Sequence, residues 1–272
     1  MTRTMIQAAT TLNQLQNKLD VIGNNLANTQ TTGYKNRNSE FASLLFQQIN
    51  QMNDPANAQG RLTPDGLRVG SGAKLTNPTI DLTLGSIKQT GRSLDIALLE
   101  ENHLFQLQVT EDGQTETRYT RDGSFYLNPT EDNSEVLMLT SKDGHPVIGV
   151  NGPIMIQDGF DGIDILENGQ VTVRRGEFVD TVGQLAVVEA VRPRFLEASG
   201  NNLFRLPDVE GYNAGEIIQA TGTRLQSQAL ETSNVDISKQ MTDLLMTQRA
   251  YQFNARTIST TDQMMGLINQ LR

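Results

Sequence analysis

"LDVIGNNLANTQTTGYK", Leu19 to Lys35, sets three asparagines, Asn24, Asn25 and Asn28, inside five residues at the end of an apolar-periodic run. Asparagine costs a helix interior roughly 0.5–0.7 kcal/mol relative to alanine, so the run weakens its own end three times. Upstream, Met5, Ala8, Leu12, Leu15, Leu19, Ile22 and Leu26 follow one another at alternating steps of 3 and 4. That is an a/d seam over about three heptads. The "TTG" ending at Gly33 then stops the helix and turns the chain. Asn25 borders the seam, while Asn24 and Asn28 form an i,i+4 pair beside it. An amide both donates and accepts, so these groups suit a crowded, water-poor contact. The plainer reading is a frayed helix end, where Asn is common.

The last forty residues repeat the theme. Ile237, Met241, Leu244, Tyr251, Ala255, Ile258 and Met265 keep 3/4 spacing, with Gln248 and Asp262 as polar interruptions. Met264, Ile268 and Leu271 form a second row. Ser233 or Asn234 is the expected N-cap, and Asp236 favours the helix dipole. An isolated helix of this length is marginal in water. Each seam must therefore pair with the other, with the rest of the chain, or with other copies.

The centre, from Thr83 to Thr223, has a different grammar. Asp112-Gly113, Asp122-Gly123, Asp143-Gly144, Asn151-Gly152, Asp158-Gly159, Asp161-Gly162 and Asn168-Gly169 punctuate it, each a hairpin signal. "LFQLQV" alternates Phe105, Leu107 and Val109 against glutamines, and "QLAVVEAV" reads as a more buried strand. The expected fold class is α+β. Residues 1–32 are expected to form an N-terminal assembly helix that packs with 232–272, residues 33–82 a connecting segment with a hairpin, 83–223 an all-β domain of short strands, and 224–272 the C-terminal assembly helix.

The chain has 272 residues, 37% hydrophobic and 5% aromatic, with a net charge of −9. That acidity, without a basic cluster, argues against nucleic acid, whose phosphates need Lys and Arg density. Without cysteine there is no disulfide, thiolate metal site or cysteine nucleophile. No stretch approaches the roughly 20 apolar residues of a membrane span. The first twenty residues lack the apolar core of a secretory signal, so the chain is expected to stay in the cytosol or to leave by a route that removes no leader.

Catalytic chemistry finds little purchase. His103 and His145 are the only histidines. His103 near Glu100 and Glu101 suggests a general-base pair, but surface residues in a turn are the simpler reading. "DGFDGID", Asp158 to Asp164, lacks calcium-loop spacing and reads as tight turns. "RVGSGAK", Arg68 to Lys74, lacks the strand–loop–helix setting of a phosphate loop. G-x-S-x-G and H-E-x-x-H are missing from the sequence. The helices also lack the basic polar face and aromatic anchors of a membrane-lying helix. No catalytic, cofactor or metal residue is assigned.

Taken together, these stretches resemble the bacterial flagellar rod and hook axial protein family. "LDVIGNNLANTQTTGYK" is similar to its N-terminal signature through Asn24, Asn25, Asn28, Gly33, Tyr34 and Lys35. "LETSNVDISKQMTDLLMTQRAYQFNARTISTTDQMM" resembles its C-terminal signature through Ser233, Asn234, Val235 and the run Gln248, Arg249, Ala250, Tyr251. "QTGRSLDIAL" and "RYTRDGSFYL" resemble two of its strands. Leu44 to Lys74 resembles the inserted hairpin of the distal rod protein. "EENHLF", Ala229 and "NPTEDNSEV" depart from the pattern.

The resemblance implies a helical tube whose terminal helices line the wall, transmitting torque around an export channel in the basal body. The implied partners are further copies, other axial proteins and the flagellar type III export apparatus, with neither nucleic acid nor membrane insertion. Within the family, a proximal rod or hook subunit is the alternative. Outside it, an envelope glycan hydrolase with paired carboxylates and a β-rich binding module remain.

Overall fold

The computed structural model describes residues 2–43, 46–49, 67–70, 72–111, 113–130, 135–207, 213–222 and 224–270. The chain forms two compact units. One comprises Met1–Asn24, Arg37–Thr79 and Ile237–Arg272; the other comprises Asn25–Asn36 and Ile80–Asp236.

The helical unit holds the long helices Thr2–Ala27 and Ile237–Gln270. On the first, Ala8, Leu15 and Ile22 are buried at heptad spacing, and Met5, Leu12, Leu19 and Leu26 are half-buried. A hairpin ladder accompanies them. Phe41–Ser43 pairs with Ala73–Leu75, and Phe46–Ile49 pairs with Leu67–Gly70, both antiparallel and in one common register. The Gln14 side-chain oxygen accepts from the Leu75 amide at 2.8 Å. The Lys18 ammonium lies 5.0 Å from the Phe41 ring centre, a cation–π contact. Among the described residues no helix is long and apolar enough to cross a membrane.

The β unit is built on a six-stranded sheet ordered Glu197–Gly200, Leu203–Arg205, Gln114–Thr120, His103–Glu111, Val187–Ala190, Ile218–Ala220. Two three-stranded sheets, Phe125–Pro129/Val136–Ser141/Met155–Gln157 and Gly162–Ile165/Gln170–Arg175/Phe178–Gln184, close over its core. Alternation in "LFQLQV" works as period 2 requires: Phe105, Leu107 and Val109 are buried while Gln106 and Gln108 are half-exposed. Phe105 meets Phe125 edge-on, with ring centres 5.1 Å apart. A second cluster, with Leu104, Tyr119, Val188 and Phe204, fills the other face of the sheet.

Most of the Asx-Gly pairs turn hairpins. Gly113 and Gly169 sit at φ of 78° and 83° between paired strands, and Gly152, at 112°, closes the turn by pairing with Gly149. Two pairs do other work. Gly162 opens a strand. Gly123 has Ile96 backbone so close that a Cβ would lie 1.8 Å from its carbonyl oxygen. Two further expectations need correction. His103 is not a surface turn residue; it is buried and begins the strand His103–Glu111, because it pairs with Glu189 at the middle of the six-stranded sheet. The C-terminal helix begins at Ile237, and the Asn234 side chain is occupied elsewhere. Its amide donates to the carbonyls of Asp81 and Thr83, at 2.9 and 3.1 Å.

Candidate functional site

The residues quoted from the two chain ends meet inside the β unit. Gly33 adopts φ +63°, and a Cβ there would lie 2.5 Å from the Asp122 amide nitrogen. Only glycine permits that backbone contact. The Gly33 amide donates to the Glu231 carbonyl at 2.9 Å. Thr32 donates its hydroxyl to Asp122, and Asn202 donates to the Thr32 carbonyl. Tyr34 is buried, and its hydroxyl donates to the Asn25 side-chain oxygen at 3.1 Å. Asn25 itself is 1% exposed. Asn24 is exposed and Asn28 half-buried, with Asn28 accepting from the Thr31 hydroxyl at 3.1 Å. Of the three asparagines only Asn25 is a buried structural amide.

Beneath this turn lies an ion cluster. Glu231 accepts from Lys35 at 2.6 Å through one carboxylate oxygen and from Arg121 at 2.5 Å through the other; all three side chains are at most 1% exposed. The Gly85 amide adds a third bond to Glu231 at 2.7 Å. Lys35 also donates to the Thr83 carbonyl. Arg121 spends its remaining donors on the carbonyls of Leu98, Glu100 and His103. Every strong donor is satisfied, which such burial demands. Burial by itself pushes the Glu231 carboxyl up, but Arg121, Lys35 and the hydrogen bonds outweigh it and hold it below the usual carboxylate range. Burial pulls Lys35 down despite Glu231, and Arg121 beside it acts the same way. Burial also keeps His103 neutral-leaning, with its ordinary value lowered.

Arg121 and Glu231 were not read as site residues from the sequence, although both fall within the quoted stretches. The available signal was chemical. Lys35 directly follows the aromatic Tyr34 at the turn after Gly33, and a cation buried there needs an anion somewhere in the chain.

The seam residues are placed unevenly. Those of the N-terminal helix share one inward side, as above. On the C-terminal helix, Leu244, Ala255, Ile258 and Met265 are half-buried, whereas Ile237, Met241 and Tyr251 are exposed. The fully buried positions there are polar: Gln240, Thr247 and Thr261. Thr247 and Thr261 return their hydroxyls to the carbonyls of Asp243 and Thr257, one turn back in the same helix. Outward point Ile237, Met241, Leu245, Met246, Tyr251, Phe253, Met264, Leu267 and Ile268, from 37% to 67% exposed. Met246, Phe253 and Met264 fall within about 20° of one direction at 100° per residue. Of the remaining motif residues, Gln248 and Arg249 are exposed and Ala250 is half-buried. Ser233 accepts from the Val235 amide at 3.3 Å. Among the described residues no cluster of three or more His, Asp or Glu could hold a metal ion.

Three family descriptions match the chain: "Flagella basal body rod protein" over residues 6–35, "Flagellar hook protein FlgE/F/G D1 domain" over 100–173, and "Flagellar basal body rod FlgEFG protein C-terminal" over 226–271. The chain is 40% identical to the flagellar hook-basal body complex protein FlhP of Bacillus subtilis, covering 100% of both. It is 34% identical to the flagellar basal-body rod protein FlgG of Agrobacterium fabrum, covering 98% of both. With FlgG of Bacillus subtilis it shares 32% over 100% of both.

Proposed function

The chain belongs to the flagellar basal-body rod and hook protein family, and from that membership we propose that it is a structural subunit of the rod, of the distal type. Copies polymerise head to tail into a helical tube, because a heterologous contact repeats without closing. The two terminal helices pair through their 3/4 stripes and pack against those of neighbouring copies to form the tube wall. The tube transmits torque and leaves a channel for export. Its partners are further copies, other axial proteins and the type III export apparatus that delivers it. No catalytic step is assigned.

One observation carries the reading. Met246, Phe253, Met264, Leu267 and Ile268 stand exposed toward one side, within about 100° at 100° per residue, of a helix whose buried positions are Gln and Thr. A lone subunit gains nothing from that arrangement, and contiguous exposed apolar surface marks an interaction face. The test is Met246→Asp with Phe253→Asp. The variant chain should keep a folded β unit by near-UV circular dichroism, yet be missing from isolated basal bodies and leave cells non-motile. Motile cells carrying only this variant would refute the reading.

A second position in the same structure has its own support. Identity is 40% to FlhP and 32% to FlgG of one organism, which favours the FlhP place among the subunits. Complementation of strains lacking one or the other relative decides between them.

A further inference from the structure

In an Asp-Gly pair the aspartyl carboxyl can close onto the next amide nitrogen, because glycine has no Cβ to shield that nitrogen. Four such pairs lie among the described residues: Asp122-Gly123, Asp143-Gly144, Asp158-Gly159 and Asp161-Gly162. Three are held by groups outside the pair. Asp122 is buried, its Oδ1 accepts from the Ser124 amide and hydroxyl, and Gly123 is packed against the Ile96 carbonyl. The Gly144 amide donates to the Ser141 carbonyl at 3.0 Å. The Asp161 carboxylate accepts from the Gly176 amide at 2.6 Å, and Gly162 is paired with Arg174 in the strand ladder.

Asp158-Gly159 is arranged differently. Both residues are exposed. The Gly159 amide donates to Asp158 Oδ1 at 2.8 Å, its one hydrogen bond among the described residues. The nitrogen is therefore held beside the carboxyl carbon of its own neighbour, and such proximity removes much of the entropic barrier to ring closure. Gly159 sits at φ +85°, and nothing lies within 4 Å of the place a Cβ would take, so the peptide has room to turn its nitrogen onto that carbon. A neutral carboxyl accepts more weakly than a carboxylate. Protonation thus turns one carboxyl oxygen into a leaving hydroxyl and loosens the amide at the same moment.

We propose that Asp158 is a self-modification site at which the folded chain slowly converts aspartate to isoaspartate. The Gly159 nitrogen loses its proton and bonds to Asp158 Cγ. The Cγ–OH bond breaks, and hydroxyl and proton leave as water. The product is a five-membered cyclic imide. Water then adds to the imide carbonyl that came from the main chain, the bond from that carbonyl to nitrogen breaks, and the nitrogen takes up a proton. The backbone now runs through Cβ and Cγ, one methylene longer, and the former main-chain carbonyl carbon carries a free carboxylate. Water is the only co-reactant, and the mass is unchanged. The added methylene enters the connection between the strands Met155–Gln157 and Gly162–Ile165, beside Phe160, which is partly buried against the main core. The product accumulates with time, so it marks the age of a chain, whatever assembly the chain belongs to.

The test is incubation of the purified full-length chain at neutral pH and growth temperature, sampled over weeks. Digests are separated by chromatography, and isoaspartyl peptides, which shift in retention at constant mass, are located by electron-transfer fragmentation. Loss of ammonia at Asn151 or Asn168 changes the mass and is not confused with them. In the folded chain isoaspartate should form at position 158 several-fold faster than at 122, 143 or 161. In urea the four rates should converge, because the dipeptide is the same and only the fold distinguishes the sites. Methyl transfer to isoaspartyl carboxylates by an isoaspartyl methyltransferase gives the second measurement. The folded Asp158→Glu chain, which keeps the carboxylate but would need a six-membered ring, should lose most of the wild-type signal. Equal rates at the four sites in the folded chain would overturn the inference, since sequence alone would then set the chemistry. A site that reacts in urea but stays unmodified at 158 in the folded chain would overturn it too, by showing that the turn protects the pair.

Discussion

In the β unit an apolar core lies inside: Phe105, Phe125, Leu107, Leu139 and Ile156 have no exposed surface, and Arg121 is enclosed with its partners. In the C-terminal helix the order is reversed. Phe253 and Met246 lie outside while Gln240, Thr247 and Thr261 lie inside. The first closes most of its apolar core within one chain. The second leaves its large apolar side chains outside. The difference teaches where each kind of substitution acts: changes in the β unit register as stability, and changes on the outward helix face register as assembly.

The sharpest way to break the β side of this contrast is Glu231→Gln. It leaves Lys35 and Arg121 buried without their anion, and removing one partner of a buried pair costs about 3–5 kcal/mol. Urea melts of the chain should show that loss in the β-unit transition. The acid limb changes as well. Because Glu231 is held below the value of 4.5 it takes when free, its contribution is complete above pH 4.5 and disappears as pH falls through the lower folded value. Wild-type stability should therefore drop on acidification in that window, and the variant's should drop less. Equal acid slopes would place the linkage on other carboxylates.

Gly33→Ala comes next. The left-handed backbone alone costs about 1–2 kcal/mol, and the close Asp122 backbone adds to it because no flexible side chain is there to move. The loss should appear in the same β-unit transition, with no gain in helicity. A neutral outcome would mean that the turn relaxes without the rest of the junction.

Asn25→Ala sharpens the contrast at the seam itself. Helix propensity favours alanine by roughly 0.5–0.7 kcal/mol, but the Tyr34 hydroxyl would lose its buried acceptor at about 1–3 kcal/mol. The net expectation is destabilisation of the chain alongside higher helicity of an isolated 1–30 peptide. A double-mutant cycle with Tyr34→Phe isolates the pair. A coupling near zero would reduce Asn25 to a helix-end residue.

These residues also mark how far the sequence could be read. The inward side of the N-terminal helix was legible because Ala8, Leu15 and Ile22 repeat at seven, with Leu12 and Leu19 half-buried between them and mostly polar residues elsewhere. The hairpins were legible wherever glycine takes positive φ between paired strands, and misleading at Gly123, where glycine serves backbone approach instead. The C-terminal stripe was harder, since apolar residues occupy nearly every side of that helix and spacing cannot say which side is covered. The ion cluster was hidden by distance along the chain: Lys35 and Glu231 are 196 residues apart, and no local period links them.

The smallest effect on stability is expected from the segment between Ile49 and Leu67. Residues 50–66 lie outside the described ones, and the expected insertion from Leu44 to Lys74 falls mostly there. Its apolar content is Met52, Ala56, Ala58 and Leu62. The rungs on the near side, Phe46–Ile49 with Leu67–Gly70, already pair in the register continued by Phe41–Ser43 with Ala73–Leu75. Replacing Asn50–Gly66 by Asn-Gly therefore joins Ile49 to Leu67 through a two-residue turn that suits antiparallel strands. A shorter loop also closes at lower entropic cost. Stability should stay within about 0.5 kcal/mol of wild type. The consequence is expected in the assembled tube. Bending requires neighbouring copies to change spacing as the tube turns, and a long polar segment reaching a neighbour would resist that change. Rods built from the shortened chain should be curved in electron micrographs. Straight rods would reduce the segment to an ordinary loop, and failure to polymerise would assign it to the assembly face shared with the C-terminal helix.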